Sequence, residues 1–494
     1  MRSSGEGKPY EPAGFAGRAS RMTLQLRIAD VVRWTGGRLV AGDAAAACRG
    51  VSIDSRSVAR GDLFVAIRGP RHDAHVFLAD AVAAGAAGLL VERADALPAA
   101  LAGCAAVAVD DTTRALGALA AGHRSGFAGP LVAISGSNGK TTTKEMCAAI
   151  LSAGAPCLKT EGNLNNQFGL PLTLLGLTRE HRAAVVEIGM NHPGEIAPLA
   201  AIAAPTVAVI TNVGTAHIEN LGSREAIARE KGALFEALGP EGVAVANADD
   251  PLVLAQLART RARPLRFGSA DAELRAEAVA SLGERGVGFQ LVTPIGKASV
   301  RVSGIGRIPV VNALAAAAAA LAAGAPLDQI AAGLASYRPP AGRLEPLVLA
   351  RDVIVLNDSY NANPQSMEVA LRSLAELKGA RRGLAVIGDM GELGATAREA
   401  HRAAGRLAAE LGLDFVFALG EHAGEVVAGA LEGGMDRARA ISSRDADEIT
   451  ARIRAVLRGS DRVLVKGSRA MRMERIVHAL AAAEGTSWSA DEAH

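Results

Sequence analysis

The sequence predicts an α/β protein of three domains: a small α/β amino-terminal domain, a central phosphate-loop domain on a mostly parallel sheet, and a carboxy-terminal Rossmann-like, doubly wound domain. Three observations carry that expectation. Short continuous apolar runs alternate with helical patterns, which is how strands buried on both faces of a parallel sheet read. The stretch "LVAISGSNGKTTTKEM", Leu131 to Met146, passes from such a strand through a Gly-rich turn into a helix. The segment "SYRPPAGRLEP" then breaks the pattern with adjacent prolines, which forbid helix and mark a linker.

Taken in order, residues 1–21 mix Gly, Pro, Ser and charge without periodicity. They are expected to be a disordered extension with no targeting core, and Met22 is a plausible second start. Residues 22–109 alternate the strands "RLVAG", "GVSIDS", "GDLFVAI", "GLLVE" and "AAVAVD" with the helix "HVFLADAVAAGA". Asp110 to Thr113 offers a helix N-cap that opens the central domain, residues 110–340. Its strands read "LVAISG", "AAVVEIG", "TVAVITNV" and "GVAVANADD". Beyond the prolines, residues 341–494 alternate "DVIVLNDSY", "RGLAVIGDM", "DFVFALG" and "DRVLVKGS" with helices such as "MEVALRSLAEL" and "TAREAHRAAGRLAAEL". Ligands in such folds bind outside the carboxyl ends of the strands.

The 494 residues carry a formal charge of +2, from 53 basic and 51 acidic side chains, so no net field draws the chain to nucleic acid or an anionic membrane. The most apolar run, "VVNALAAAAAALAAGA", is mostly alanine and carries Asn312, too weakly hydrophobic for a membrane span. Cys48, Cys104, Cys147 and Cys157 fall in no metal or redox spacing and read as reduced, partly buried thiols in the cytosol.

In the loop, backbone N–H groups from Gly136 through Ser137, Asn138 and Gly139 to Thr141 and Thr142 can face phosphate oxygens at the positive end of a helix. Lys140 would neutralise phosphate charge and Thr141 would offer its hydroxyl to Mg²⁺. Ile134 stands where such loops ordinarily begin with Gly, so a plain strand-to-helix turn with a surface lysine stays open. Glu187 ends an apolar strand, where a carboxylate is costly unless a cation or an arginine pairs with it. His217 lies in a loop and Lys231 on a helix. Either residue alone reads equally as ordinary surface or core.

Together these pieces resemble the Mur ligase family, ATP-dependent enzymes that build the peptide stem of peptidoglycan. The loop variant "SGSNGKTTTKE" looks like the family's, which accounts for Ile134, and the likeness covers nearly all of Thr23 to about Leu480. Four stretches resemble the branch that joins D-Ala-D-Ala to UDP-N-acetylmuramoyl-tripeptide: "EGNLNNQFGLP", "NDSYNANPQSM", "VIGDMGELG" and "VKGSRAMRME". The resemblance implies a γ-phosphate passed to a peptide carboxylate and an acyl phosphate attacked by the incoming amine.

It also implies roles. Thr141 and Glu187 would hold one Mg²⁺, and His217 with a carbamylated Lys231 would help hold a second. Carbamylation needs neutral lysine, so burial or a nearby cation must lower its pKa. Asn312 would contact adenine, Arg343 the γ-phosphate and Asp358 the ribose. Ser55 and Arg56 would meet the UDP end. Asn163, Asn166, Asn191 and His192 would face the sugar-peptide, although Asn in Gly-rich loops also simply caps turns. Tyr360, Asn361, Asn363, Lys466 and Arg469 would shape the dipeptide side, with Lys466 and Arg469 suited to a carboxylate. A cytoplasmic monomer is expected. Folylpolyglutamate synthase shares the central machinery but lacks a UDP-type first domain, and a non-ligating ATP-driven switch would not need Glu187, His217 and Lys231 together.

Overall fold

Runs such as Leu131–Ser135 and Ala183–Glu187 have no exposed residue, and the chain buries them by laying them side by side as parallel strands. The structure, a computed structural model, describes residues 24, 26–69, 72–269 and 271–485, so the expected extension at 1–21 lies outside the described residues. Packing divides the chain into two units, Met1–Phe127 with Leu174–Thr178, and Ala128–Thr173 with Arg179–His494.

The first unit carries a five-stranded sheet ordered Arg38–Ala41, Ala105–Ala108, Gly88–Val91, Asp62–Val65, Gly50–Ser52, parallel except at its first pair. Phe64, Leu78, Leu89 and Val91 are fully buried between this sheet and its cover. The helix Thr112–Arg124, started by Asp111 accepting from Arg114 N–H, packs on the helix Ile28–Thr35 within this unit.

In the second unit the larger sheet has nine strands, ordered Gly296–Val302, Val287–Thr293, Leu274–Ser281, Arg263–Gly268, Val243–Asn247, Val207–Ile210, Leu131–Ser135, Ala183–Glu187, Cys157–Lys159. All pairs from Cys157–Lys159 to Leu274–Ser281 are parallel. The last three strands form an antiparallel meander that the apolar-run reading passed over. Polar residues interrupt all three, and Leu274–Ser281 and Gly296–Val302 carry exposed residues, so they lack the continuous apolar signal of strands covered on both faces.

The alanine-rich segment is not a span but a core helix, Ile308–Ala322, in which Ala313 and Ala315 to Ala320 are buried. Small side chains let it approach both the phosphate-loop helix and the sheet closely. Among the described residues no helix is long and apolar enough to cross a membrane.

The other sheet of this unit has six strands, ordered Glu345–Val348, Ile354–Asp358, Arg462–Lys466, Gly383–Gly388, Phe415–Leu419, Ala440–Ser443, and only the first pair is antiparallel. Separate apolar cores cover its two faces, one around Leu356, Ala385 and Leu464, the other around Val355, Val386 and Val463, as doubly wound packing requires. The three-domain α/β class read from the sequence is the class observed. All four cysteines are free, and burial pushes the thiols of Cys48 and Cys157 up to about 12 and Cys104 up to about 11, so they are unreactive.

One buried group makes this last domain pH-sensitive. His401 is fully buried, with Nδ1 2.6 Å from Ala397 O and Nε2 accepting from Met390 N–H at 2.9 Å. Burial pushes its pKa down, reinforced by His422, whose ring lies 4.6 Å away, and opposed by the Ala397 carbonyl, Asp389 and Glu425. Its folded pKa therefore lies below the unfolded value near 6.5, and the contribution is complete above that value and lost as pH falls through it toward the folded one. Melting temperature should fall from pH 7 to pH 5, with a shallower slope in His401→Gln; equal slopes would remove His401 as the cause.

Candidate active site at the carboxyl ends of the central strands

Strand Leu131–Ser135 runs out into Gly136, whose φ of 150° and close neighbour admit no side chain. A Cβ there would lie 1.9 Å from Thr211 Oγ1. Gly139, at φ 80°, caps the helix Lys140–Ser152, and a Cβ on it would meet Asn312 Oδ1 at 2.4 Å. The loop is held from the next strand. Asn138 N–H donates to Asn212 Oδ1 at 2.9 Å, and Asn212 Nδ2 and Thr211 Oγ1 return bonds to Asn138 O at 2.9 and 2.7 Å. Gly136→Ala should abolish nucleotide-dependent turnover and lower the melting temperature, since backbone and Thr211 must both move; unchanged values of both would contradict the packing.

Glu187 is 3% exposed and pairs in register with Ile134, beside the loop. Its Oε2 accepts from Thr141 Oγ1 at 2.8 Å and its Oε1 from Asn165 Nδ2 at 2.8 Å, while its N–H donates to Thr160 Oγ1. Among the described residues no arginine or lysine nitrogen lies within 4.0 Å of it, so the arginine-pair alternative does not hold, and the charges that act on it from farther off are those of Lys140 and Lys231. Lys140 Nζ folds back onto Gly136 O at 2.8 Å, and burial pushes its pKa down against the pull of Glu187.

Lys231 lies on the helix Arg224–Glu236, started by Ser223 accepting from Ala226 N–H at 3.1 Å. With Ile227, Ala228, Leu234 and Phe235 it shares the buried stripe, and it is 2% exposed, so it is not a solvated helical lysine. Burial drives its pKa well below the ordinary lysine range, Lys140 adds to the shift, and Glu230 and Glu187 oppose it. Its neighbour Glu230 accepts from Gly194 N–H and Ile196 N–H, both at 2.9 Å, and so fixes the loop carrying Asn191 and His192.

His217, in left-handed backbone at φ 63°, sets Nδ1 2.6 Å from Glu392 Oε2, and that imidazole holds the Glu392 carboxyl below its usual range. Arg343 reaches from the linker to Thr141 Oγ1 at 3.5 Å and stacks on Tyr360, 3.9 Å from its ring centroid. A cleft lined by Thr142, Met146, Pro309, Asn312, Tyr337 and Arg343 opens beside them, the expected side for a base.

The other expected residues have partners within the fold. Asp358 and Lys466 are register partners on adjacent strands and bind each other at 2.5 Å, both buried. Asn363 caps the helix Pro364–Lys378 through Ser366 N–H and donates to Asn138 Oδ1 at 2.8 Å, so it braces the phosphate loop. Asn361 is exposed, and its carbonyl accepts from Lys466. Arg469 pairs with Glu474 at 3.0 Å beneath Tyr360. Asn166 caps a turn, accepting from Phe168 and Gly169 N–H, while Asn163 is exposed. Asn191 N–H and His192 both turn to Glu195. In the first unit Arg56 forms a two-pronged pair with Asp54, beside Ser55.

Three family descriptions match the chain: Mur ligase family, catalytic domain, over residues 48–124; Mur ligase middle domain over 134–320; and Mur ligase, glutamate ligase domain over 342–469. The UDP-N-acetylmuramoyl-tripeptide–D-alanyl-D-alanine ligase of Escherichia coli is 40% identical over 437 residues, 87% of this chain and 93% of that protein. The chain belongs to the Mur ligase family. A crystal structure of MurF from Acinetobacter baumannii superposes with a TM-score of 0.85 at 35% identity, covering 93% of this chain and 99% of that one. MurF from Thermotoga maritima, solved in complex with ADP, superposes with a TM-score of 0.77 at 29% identity over 88% and 97%.

The donor set of this Mur ligase suits Mg²⁺ shared with phosphate. Among the described residues no group of three His, Cys, Asp or Glu could cage a metal. One buried carboxylate with no arginine or lysine nitrogen within 4.0 Å among the described residues, beside a threonine hydroxyl, matches an ion that keeps waters and takes phosphate oxygens as its other ligands. Sequence reasoning missed Asn165, Asn212 and Glu230, which orient Glu187, the loop and the Asn191 turn. Their signal is only "Asn or Glu near a motif", and spatial proximity alone assigns them.

Proposed function

We propose that this Mur ligase adds D-Ala-D-Ala to UDP-N-acetylmuramoyl-tripeptide with ATP, forming ADP and phosphate, in peptidoglycan precursor synthesis. One observation carries the reading: the phosphate loop, Glu187 and Arg343 converge in one hydrogen-bonded cluster, in a chain that aligns with 93% of the Escherichia coli ligase.

Residues 22–109 bind the UDP end through Ser55 and Arg56, residues 110–340 bind ATP, and residues 341–494 supply Arg343 and the dipeptide side. The loop N–H groups from Gly136 to Thr142 and Lys140 take the phosphates, and Asn312 takes the adenine. Thr141 and Glu187 would hold one Mg²⁺, and His217 and a carbamate on Lys231 a second. Bound Mg²⁺ supplies positive charge that lets a triphosphate and a carboxylate meet. Lys140 and Arg343 stabilise the charge on the γ-phosphoryl as it passes to the tripeptide carboxylate. The dipeptide amine then attacks the acyl phosphate, a tetrahedral intermediate collapses, and phosphate leaves with a new amide formed. Asn163, Asn166, Asn191 and His192 line the sugar-peptide side, and Tyr360, Asn361 and Arg469 the dipeptide side. ATP and a UDP-linked substrate point to a cytoplasmic enzyme.

Phosphate release should require ATP, Mg²⁺, the UDP-linked tripeptide and D-Ala-D-Ala together. Glutamate as the preferred amine would replace this reading with the folate-type ligase, and ATP turnover indifferent to both substrates with the switch protein.

A further inference from the structure

Arg343 lies between two residues with left-handed backbone, Gly342 at φ 71° and Leu344 at φ 49°. A leucine holds that conformation only where its surroundings over-determine it. Here they do. Leu344 N–H donates to Asp358 Oδ1 at 3.1 Å, Gly342 N–H donates to Glu345 Oε2 at 3.2 Å, and Tyr360 N–H donates to Gly342 O at 3.2 Å. Glu345 is in turn held by Asn357 Nδ2 at 2.9 Å. The other oxygen of Asp358 takes Lys466 Nζ at 2.5 Å, and that ammonium also donates to Asn361 O at 2.8 Å.

Two of the three donors of Lys466 are thus spent inside the fold, and the residue is 2% exposed. An ammonium so placed helps to hold the turn in shape. Above the turn, the Arg343 guanidinium rests 3.9 Å from the Tyr360 ring centroid, with Arg469 5.9 Å from the same ring. Stacking fixes the plane of a guanidinium that would otherwise swing on a long flexible stem. Its tip then meets Thr141 Oγ1, on the first turn of the phosphate-loop helix.

We propose that Tyr360 and the Lys466–Asp358 pair are positioning residues that fix the turn and plane of Arg343, presetting it for the terminal phosphate of ATP. The inference rests on Arg343 meeting that phosphate. It gives Tyr360 the support of an arginine and Asp358 the anchoring of a turn, beside the dipeptide and ribose contacts expected of them.

The test compares ATP and ADP binding by calorimetry, alongside kcat and KM, in Tyr360→Ala, Tyr360→Phe, Arg343→Ala, the Arg343→Ala/Tyr360→Ala double variant and Asp358→Ala. Tyr360→Ala should lower kcat by on the order of tenfold or more, with a smaller change in KM for the dipeptide, because a misplaced group costs rate before binding. It should also lower the preference for ATP over ADP, which Tyr360→Phe recovers because the ring remains. In the Arg343→Ala background Tyr360→Ala should add almost nothing, since both changes remove one interaction. Asp358→Ala should weaken ATP more than ADP.

A raised dipeptide KM with unchanged kcat and unchanged ATP preference in Tyr360→Ala would overturn the proposal, as would additive losses in the double variant. Equal loss of ATP and ADP in Asp358→Ala would leave Asp358 with the ribose alone and overturn its part. The nucleotide comparison needs no acceptor, so a wild-type enzyme that ignores D-Ala-D-Ala would sink the proposed reaction and leave this test standing.

Discussion

Lys231→Ala is expected to lower phosphate release by on the order of a thousandfold or more, as removal of a residue that holds charge at the reacting phosphates would. At an ordinary pKa of about 10.4, roughly one lysine in 2,500 is neutral at pH 7, too few for ready carbamylation. The buried position of Lys231 beside Lys140 raises that fraction about tenfold for each unit by which the pKa is lowered. The melting temperature should change little, because the lost packing of the stem is offset by removing a polar group from a buried stripe. Added acetate or formate should restore part of the rate by standing in for the carbamate. Labelled bicarbonate should give a carbamate signal in the wild type that the variant lacks. Near-normal turnover, or no such signal, would leave Lys231 as a buried lysine without this role.

The second large effect belongs to Glu187→Gln. The amide is nearly isosteric and can still bond Thr141 and Asn165, but it carries no charge for a cation. Turnover should fall by on the order of a hundredfold to a thousandfold, and excess Mg²⁺ should not restore it. Stability should hardly change. The relief of a buried carboxylate is offset by the loss of its pull on Lys140 and the buried Lys231, so the melting temperature should stay close to that of the wild type. A loss of stability in step with activity would instead make Glu187 a structural support of the loop.

The separation of activity from stability expected at Glu187 reflects where its function was legible. A glutamate closing an apolar strand is costly to bury, and that cost is visible in "AAVVEIG" without coordinates. The phosphate loop was legible for a similar reason, because Gly136 and Gly139 sit where only glycine fits. Lys231 was half legible: its family position was, but its place on the buried stripe needed the helix phase. The antiparallel meander from Leu274 to Val302 was not, because polar residues interrupt its strands and leave no continuous run.

The sequence by itself determined the order and class of the domains, the phosphate loop and the family, since each rests on local pattern: apolar period, glycine position, adjacent prolines. Only the tertiary structure decided which polar side chains face one another. Asp358 and Lys466, 108 residues apart, became partners because parallel strands in register put their ends side by side. Asn138 and Asn363, 225 apart, met because a helix cap lies against the phosphate loop. A lysine or asparagine has several donors and no fixed partner in sequence, and which donor it spends depends on what the fold brings within 3 Å of it.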